Sequence, residues 1–289
     1  GSILFIYFGI TINPKDFYFI LPLAILLSTS HSKFMCFSYA GGIISLVSLI
    51  LGWPNIHVSE ILFVIGVLHL VESFLVLMDG GREKTAVFME RQDKIIGGFN
   101  MYRLWPVPFT IFINNGVVYP ATIIAILGYG DYVLSSYPEK KAKDTAIIIS
   151  IYSIILLFLS KLSMDYYFYK YIAAIFAPLG HELIIMIGCN REEKREHIFT
   201  PSNYGLKILD VLPYSIGEKI GLKSGDIILS INGKKISNKE DLEYLLYFRP
   251  NFVCINLFDR EKGLITKEYR HYKSGIDTLG VVVISNIPD

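Results

Sequence analysis

Residues 215–233 read SIGEKIGLKSGDIILSING and combine signals for a short helix, a turn, a strand and a hairpin. Ser215 begins one short helical turn that Gly221 ends, and Gly225-Asp226 turns the chain back into an apolar strand. Asn232-Gly233 predicts a tight hairpin, because both positions tolerate a positive φ angle. This order predicts a small mixed α/β domain in the last third of the chain.

The flanking segments extend this domain on both sides. Residues 205–211 alternate in polarity like a strand. Ser237 or Asn238 is expected to cap a helix, whose first turn carries acidic residues that favour the helix dipole. Further strands are predicted at 252–257, 264–269 and 280–284.

The length and order of these signals resemble PDZ domains of the bacterial type, over residues 200–286. Such domains bind a peptide as an added strand beside an exposed sheet edge, and backbone amides of a preceding loop take its C-terminal carboxylate. By this resemblance the loop is Tyr204-Gly205-Leu206, and the edge strand continues to Ile208. The facing helix would offer Leu242, Leu245 and Leu246, which could instead only pack the domain core.

The composition separates this domain from a very different first part. The chain of 289 residues is 52% hydrophobic and 18% charged, whereas soluble proteins have about 25% charged residues. The long apolar runs all lie within residues 1–190. The net charge of +1 gives no indication of nucleic acid as a partner.

Residues 1–190 are therefore predicted to form a helical membrane domain in contact with lipid. A spanning helix needs about 20 mostly apolar residues. The predicted fold is an α-helical polytopic membrane bundle of about six spanning or re-entrant helices, followed by a small α+β PDZ domain. The candidate segments are 34–51, 58–78, 106–128 and 145–160, with shorter ones at 3–12, 17–29 and 171–188. Because the first run directly follows Gly1-Ser2, we expect a cloning remnant there and further chain upstream.

The loop at 79–105 decides the predicted orientation. It carries five basic residues and is therefore expected to be cytoplasmic. Within it, 85–90 and 94–96 are expected to form a small hairpin. Counting segments from this loop places 129–144 outside the cell. Segment 171–188, which Pro178 interrupts, is predicted to be re-entrant or interfacial, and the PDZ domain cytoplasmic.

Five ionisable residues in the apolar part are candidates for a site: His69, Glu72, Asp79, His181 and Glu182. Ionisable residues at membrane depth are often functional, although a hydrogen-bond network that locks the helices together is the simpler interpretation. The cysteines Cys36, Cys189 and Cys254 are scattered and odd in number, so they are predicted to be buried free thiols.

One enzymatic alternative is an intramembrane zinc protease of the site-2 type, which also combines a membrane core with a PDZ domain. Here His181-Glu182 matches the first pair of the His-Glu-x-x-His motif, but the second histidine is absent. Zinc under this alternative would be held by His69, His181 and either Asp79 or Glu72, since catalytic zinc takes three protein ligands. A sensory or transporter-like membrane protein regulated by its PDZ domain is a further alternative.

The whole chain resembles the MinJ family of division-site topology proteins of Gram-positive bacteria. The resemblance rests on His69-Leu70-Val71-Glu72-Ser73, Asp79-Gly80, Gly97-Gly98-Phe99-Asn100, Leu104-Trp105-Pro106-Val107-Pro108 and Pro178-Leu179-Gly180-His181-Glu182. It implies a bacterial membrane scaffold that binds peptide segments of division-site proteins, bridging DivIVA to MinD. It implies neither catalysis nor a cofactor.

Overall fold

The computed structural model describes residues 1–91, 94–114, 116–271 and 275–284, apart from the side chains of Ser32 and Lys94. The chain folds as two units that each contain separate stretches of sequence. The first consists of Gly1–Glu83, Tyr102–Gly130 and Glu139–Glu193, and the second of Lys84–Met101, Asp131–Pro138 and the chain from Lys194 onward. The C-terminal unit therefore includes residues that the sequence pattern assigns to the membrane part.

The first two thirds of the chain contain six helices and four strands among the described residues. In chain order these are α1 (Ser2–Tyr7), β1 (Thr11–Ile12), α2 (Phe17–Ser28), α3 (Phe37–Leu51), α4 (Val58–Asp79), β2 (Lys84–Arg91), β3 (Lys94–Asn114), β4 (Val118–Val133), α5 (Pro138–Asp165) and α6 (Phe168–Lys194). Short 3-10 turns occupy Pro14–Asp16 and Ser32–Met35.

Within the described part of the chain, α4, α5 and α6 are long and apolar enough to cross a membrane, with 22, 28 and 27 residues. The apolar helix α3 is shorter, at 15 residues. Three such helices are fewer than the six or so expected. Segment 171–188 lies inside the uninterrupted helix α6, which continues through Pro178 instead of breaking there.

Helix α3 packs closely against helix α6 at Pro178. Proline removes one backbone hydrogen bond, which frees the carbonyl oxygen of Ala174 four residues earlier. A side chain at Gly42 of α3 would lie 2.5 Å from Pro178 Cδ and 2.9 Å from Ala174 O. Small residues permit such close approach between apolar helices, so Gly42 fixes the contact of α3 with α6.

The expected spanning helix at 106–128 is wrong, because this segment forms parts of β3 and β4. Apolar composition alone suggested a helix, yet Pro106, Pro108 and Pro120 disfavour one. Gly116 adopts a φ of +89°, and its N–H donates to Asn114 Oδ1 at 3.3 Å in the reversal between the strands. These asparagine and glycine residues favour a hairpin, but the apolar composition of the segment led to the prediction of a helix.

The small hairpin expected in loop 79–105 is confirmed. Strands β2 and β3 pair antiparallel from Lys84 opposite Met101 to Arg91 opposite Lys94. The expected turn residues Gln92 and Asp93 lie outside the described residues. Strand β3 also pairs with β1 in parallel and with β4.

The C-terminal domain contains the elements that its sequence signals predict. They are β5 (Leu206–Val211), α7 (Ile216–Ile220), β6 (Ile227–Ile231), β7 (Lys234–Lys235), α8 (Lys239–Tyr247), β8 (Phe252–Asp259), β9 (Gly263–Arg270) and β10 (Val281–Ile284). The sheet order is β10-β5-β6-β8-β9, and β7 pairs with β6. The core of this domain is formed by apolar side chains of the sheet and of α8.

Of the two predicted cap residues Asn238 caps α8, and the predicted hairpin is also confirmed; Ser215 caps α7 as well. Ser215 Oγ accepts the N–H of Glu218 at 3.1 Å, and Asn238 Oδ1 accepts the N–H of Asp241 at 2.8 Å. At the hairpin, Asn232 and Gly233 have φ angles of 51° and 77°. The Asn232 side chain also accepts the N–H of Cys254 at 2.8 Å and donates to the Phe252 carbonyl at 3.0 Å.

Replacing Asn232 by alanine should therefore weaken the domain. The change removes two hydrogen bonds and replaces asparagine by a residue that tolerates a positive φ less well, which together cost about 1–3 kcal/mol. We expect backbone amides of β8 to exchange with deuterium about tenfold faster or more, since 1.4 kcal/mol corresponds to about tenfold. Lys235→Ala, on the same hairpin and exposed, is the control. Unchanged protection of β8 in Asn232→Ala would contradict this role.

Candidate functional site: a peptide groove and a buried polar cluster

The predicted peptide-binding strand is not at the edge of the sheet. Strand β5 pairs with β6 on one side and with β10 on the other. Leu206 and Ile208 are only 2% and 0% exposed and belong to the domain core. A side chain at Gly205 would lie 2.2 Å from the Ile228 carbonyl oxygen. The loop and strand assignment for Tyr204, Gly205, Leu206 and Ile208 is therefore corrected, because no peptide strand can add beside a strand paired on both sides.

Among the described residues, β10 and β9 form the two edges of the sheet, and a groove lies beside β10. The groove lies between β10 and α8 and encloses about 310 Å³. Its apolar lining consists of Leu242, Leu246, Leu279, Val281 and Val283. An edge strand that faces a helix across an apolar groove is the geometry that β-augmentation requires.

The three leucines predicted on the facing helix differ in whether they line the groove. Leu242 and Leu246 line the groove and are also part of the domain core, with 6% exposure each. Leu245 belongs to the core and is not among the groove residues. Leu242 and Leu246 therefore pack the domain core and also line the groove.

The loop Asp277-Thr278-Leu279-Gly280 leads into β10 and closes the groove at one end. The carbonyl oxygens of Leu279 and Gly280 accept the N–H groups of Gly217 at 2.7 Å and Leu212 at 2.8 Å. Gly280 has a φ of +66°, and a side chain there would lie 2.3 Å from Ser215 Cβ. Sequence reasoning assigned 280–284 only as a last strand and missed this loop, although a glycine directly before an apolar strand was an available signal.

A second candidate site lies among the apolar helices, around His69 of α4. His69 is 4% exposed. Its Nδ1 donates to the Ile65 carbonyl at 2.9 Å, because a carbonyl can only accept. In the neutral ring this leaves the lone pair on Nε2, which lies 3.2 Å from Cys36 Sγ and 3.2 Å from Ser38 Oγ. Glu72 Oε2 lies 3.8 Å from the same nitrogen.

His181 and Glu182 of α6 reach the same region through Tyr39. The Tyr39 hydroxyl donates to Glu182 Oε2 at 2.6 Å and lies 3.3 Å from His181 Nδ1. Glu182 also pairs with Lys33 at 2.7 Å. The ring centroids of His69 and His181 are 5.4 Å apart. The structure therefore brings together four of the five predicted ionisable residues: His69, Glu72, His181 and Glu182.

Asp79, the fifth predicted residue, is engaged elsewhere. Its Oδ2 accepts Arg103 Nε–H at 2.6 Å and Trp105 Nε1–H at 3.1 Å, and Arg82 lies 3.6 Å from Oδ1. These contacts hold the end of α4 against Arg103 and Trp105 of β3, which belong to the same unit as α4. Asp79 is therefore engaged away from His69 and His181. Of the two carboxylates that the protease alternative named, Glu72 is the one near His69.

Cys36 is the member of the cluster that sequence reasoning missed. It precedes α3 as the N-terminal cap, and its Sγ accepts the N–H of Ser38 at 3.5 Å. One donor atom each from Cys36, His69 and His181 lies within 4.8 Å of the other two. All three cysteines are free and half-buried. The sequence spacing of 33 residues between Cys36 and His69 gave no motif that could have identified the pair.

Comparison with known proteins supports the domain assignment and extends the similarity beyond it. Residues 207–254 match the PDZ domain family. The chain is similar to the "Cell division topological determinant MinJ" of Bacillus subtilis (strain 168), with 23% identity over 182 residues, 63% of this chain and 45% of MinJ. It is also similar to a "Probable serine protease do-like" protein of Buchnera aphidicola subsp. Acyrthosiphon pisum (strain APS), with 34% identity over 71 residues, 25% of this chain and 15% of that protein.

The chain thus spans less than half the length of these curated relatives. The similarity to the protease-like protein is confined to 71 residues. The similarity to MinJ covers 182 residues, which is longer than the C-terminal domain and must include part of the helical region. The chain therefore contains a PDZ domain, and its resemblance to MinJ includes part of the helical region.

Proposed function

We propose that this protein is a multi-pass membrane scaffold whose PDZ domain binds a peptide segment of a partner between α8 and β10. The groove beside the edge strand β10 is the observation that carries this proposal. The peptide would pair with β10 through its backbone and place alternate side chains against the groove. Catalysis is not required of any residue in this function.

The lining of the groove indicates the chemistry of the peptide. Its floor is aliphatic, and Lys239, Glu243 and Asp277 lie at its rim. An aliphatic side chain at the peptide C-terminus would bury its surface against Leu242, Leu246 and Val283, at about 25 cal/mol for each Å² buried. The backbone of the loop at 277–280 would face the terminal carboxylate. We therefore expect the peptide to end in an apolar residue.

The order of the long helices supports a cytoplasmic PDZ domain. With α4, α5 and α6 as the spans, residues 80–137 and the chain after Lys194 adjoin the same side, because α5 and α6 cross in opposite directions. That side carries a concentration of basic residues: Arg82, Lys84, Arg91, Arg103, Lys140, Lys141, Lys143, Arg191, Lys194 and Arg195. By the positive-inside rule this side is the cytoplasm. Since 106–128 is not a helix, residues 129–144 lie on this side and not outside.

The similarity to MinJ suggests the process in which the scaffold acts. MinJ is a cell division topological determinant by its printed name, and its similarity to this chain extends into the helical region. We therefore assign this protein to the placement of the division site, with division proteins as the partners. The helices would hold the PDZ domain at the membrane, where such partners assemble.

A charge introduced into the groove should abolish peptide capture. In Val283→Glu, a carboxylate would replace an apolar contact and would lose hydration on binding, which costs about 2 kcal/mol or more. We expect the full-length protein in detergent to lose at least tenfold in affinity for fluorescent peptides that end in Val, Ile or Leu. Leu264→Glu, on the opposite edge strand and 71% exposed, should bind like the unchanged protein. Equal binding by Val283→Glu and the unchanged protein would exclude this groove.

The same pair of variants tests the role in the cell. A fluorescent fusion of the unchanged protein should concentrate at division sites, and so should Leu264→Glu. The Val283→Glu fusion should spread around the membrane, since its groove no longer engages the partner. Uniform distribution of the unchanged fusion would remove the division-site assignment and leave the peptide groove intact.

Cysteine labelling tests the orientation. Lys262→Cys lies in the exposed turn between β8 and β9, and Tyr166→Cys lies between α5 and α6. With a membrane-impermeant maleimide on intact cells, we expect labelling of Tyr166→Cys and none of Lys262→Cys until the cells are opened. The unchanged chain measures the background labelling of the three native cysteines. The reverse pattern would place the PDZ domain outside the cell.

A further inference from the structure

We propose that Cys36, His69 and His181 bind a zinc ion in the helical part of this protein. The three side chains come from the start of α3, the middle of α4 and the middle of α6. One donor atom of each lies within 4.8 Å of the others. Ligand atoms of a tetrahedral zinc ion lie about 3.3–3.8 Å apart, and Cys36 Sγ is already 3.2 Å from His69 Nε2. Small side-chain movements would therefore place one ion within reach of all three.

The hydrogen bonds around both histidines prepare the nitrogen that a metal requires. His69 donates from Nδ1 to the Ile65 carbonyl, which leaves Nε2 as the basic nitrogen. The Tyr39 hydroxyl uses its one proton in the hydrogen bond to Glu182. At 3.3 Å from His181 Nδ1 it therefore accepts the Nδ1–H of that histidine. His181 Nε2 then also carries the lone pair. In zinc sites, the second nitrogen of a histidine ligand is typically held in this way by a carbonyl or a carboxylate.

The neighbouring hydroxyl groups can be satisfied without His69 Nε2. Tyr152 donates to the Ala177 carbonyl at 2.8 Å, which leaves its oxygen free to accept from Ser38 Oγ at 2.9 Å. The Ser38 hydroxyl thus donates its proton to Tyr152, and the Tyr152 hydroxyl donates to the Ala177 carbonyl. The lone pair of His69 Nε2 remains available to an ion, even though Ser38 Oγ lies 3.2 Å away.

The donor set and the local charge favour zinc in particular. Thiolate and imidazole together suit Zn²⁺, whereas Mg²⁺ and Ca²⁺ prefer oxygen ligands. The Cys36 thiolate would lie at the amide end of α3, which favours negative charge. With the Glu72 carboxylate 3.8 Å from His69 Nε2, two negative charges would balance the ion in apolar surroundings. The ion would join three helices and stabilise their packing, independently of peptide binding by the PDZ domain.

Zinc content is the direct test. The full-length protein would be produced with zinc, on a tag without histidine, and dialysed in detergent against metal-free buffer. We expect one zinc ion per chain in the unchanged protein and in Cys189→Ser, the matched cysteine control from α6. Cys36→Ser and His181→Gln should lose it. A substoichiometric zinc content in the unchanged protein, or full retention by Cys36→Ser, would overturn the proposal and leave a hydrogen-bond network only.

Cobalt replacement keeps the proposal testable if a variant fails to fold. The unchanged protein, stripped and reloaded with Co²⁺, should show a thiolate-to-cobalt charge-transfer band in the near ultraviolet and the visible bands of tetrahedral cobalt. Removal of the metal by a chelator should lower the melting temperature of the unchanged protein and of Cys189→Ser alike. Bound cobalt without a thiolate band, or a melting temperature that does not change, would overturn the site.

Discussion

Polar side chains among the apolar helices must satisfy one another, because apolar surroundings provide few other partners. This constraint organises the region around His69. The Tyr152 hydroxyl donates to the carbonyl of Ala177, which directly precedes Pro178 in α6. Ser38 connects Tyr152 to the start of α3. The packing of α3, α4, α5 and α6 thus depends on one connected set of polar groups.

The C-terminal domain depends on a different constraint, which is the number of neighbours that each strand has. Because β10 returns to pair with β5, the strand that directly precedes α7 is enclosed and the last strand becomes the edge. Gly280 permits the close turn against Ser215 from which β10 begins. The position of the peptide groove follows from this late strand and not from the segment that leads into the domain.

The sequence predicted those features that depend on local chemistry. The caps at Ser215 and Asn238 and the hairpin at Asn232-Gly233 were predictable because each needs only neighbouring residues. Hydropathy also predicted α4 and α5 well, since a long apolar run in a helix has few alternatives. At 106–128 the same reasoning failed, because strands and helices can be equally apolar and the three prolines were given too little weight.

The features that the sequence could not give depend on contacts between distant residues. Cys36 and His181 are 145 positions apart in the chain, and no spacing rule connects them. The pairing of β10 with β5 likewise joins residues about 70 positions apart. The family resemblance supplied the domain type correctly but assigned peptide binding to β5, which is paired on both sides, because strand order can differ between domains with the same local motif.

Photo-crosslinking of a bound peptide tests the location of the groove most directly. A photoreactive residue would replace Val283 on β10 in one protein and Lys207 on β5 in another, with the same peptide ending in an apolar residue. The structure predicts a crosslink from position 283, which lines the groove, and none from position 207. A crosslink from position 207 and none from position 283 would contradict the groove between α8 and β10.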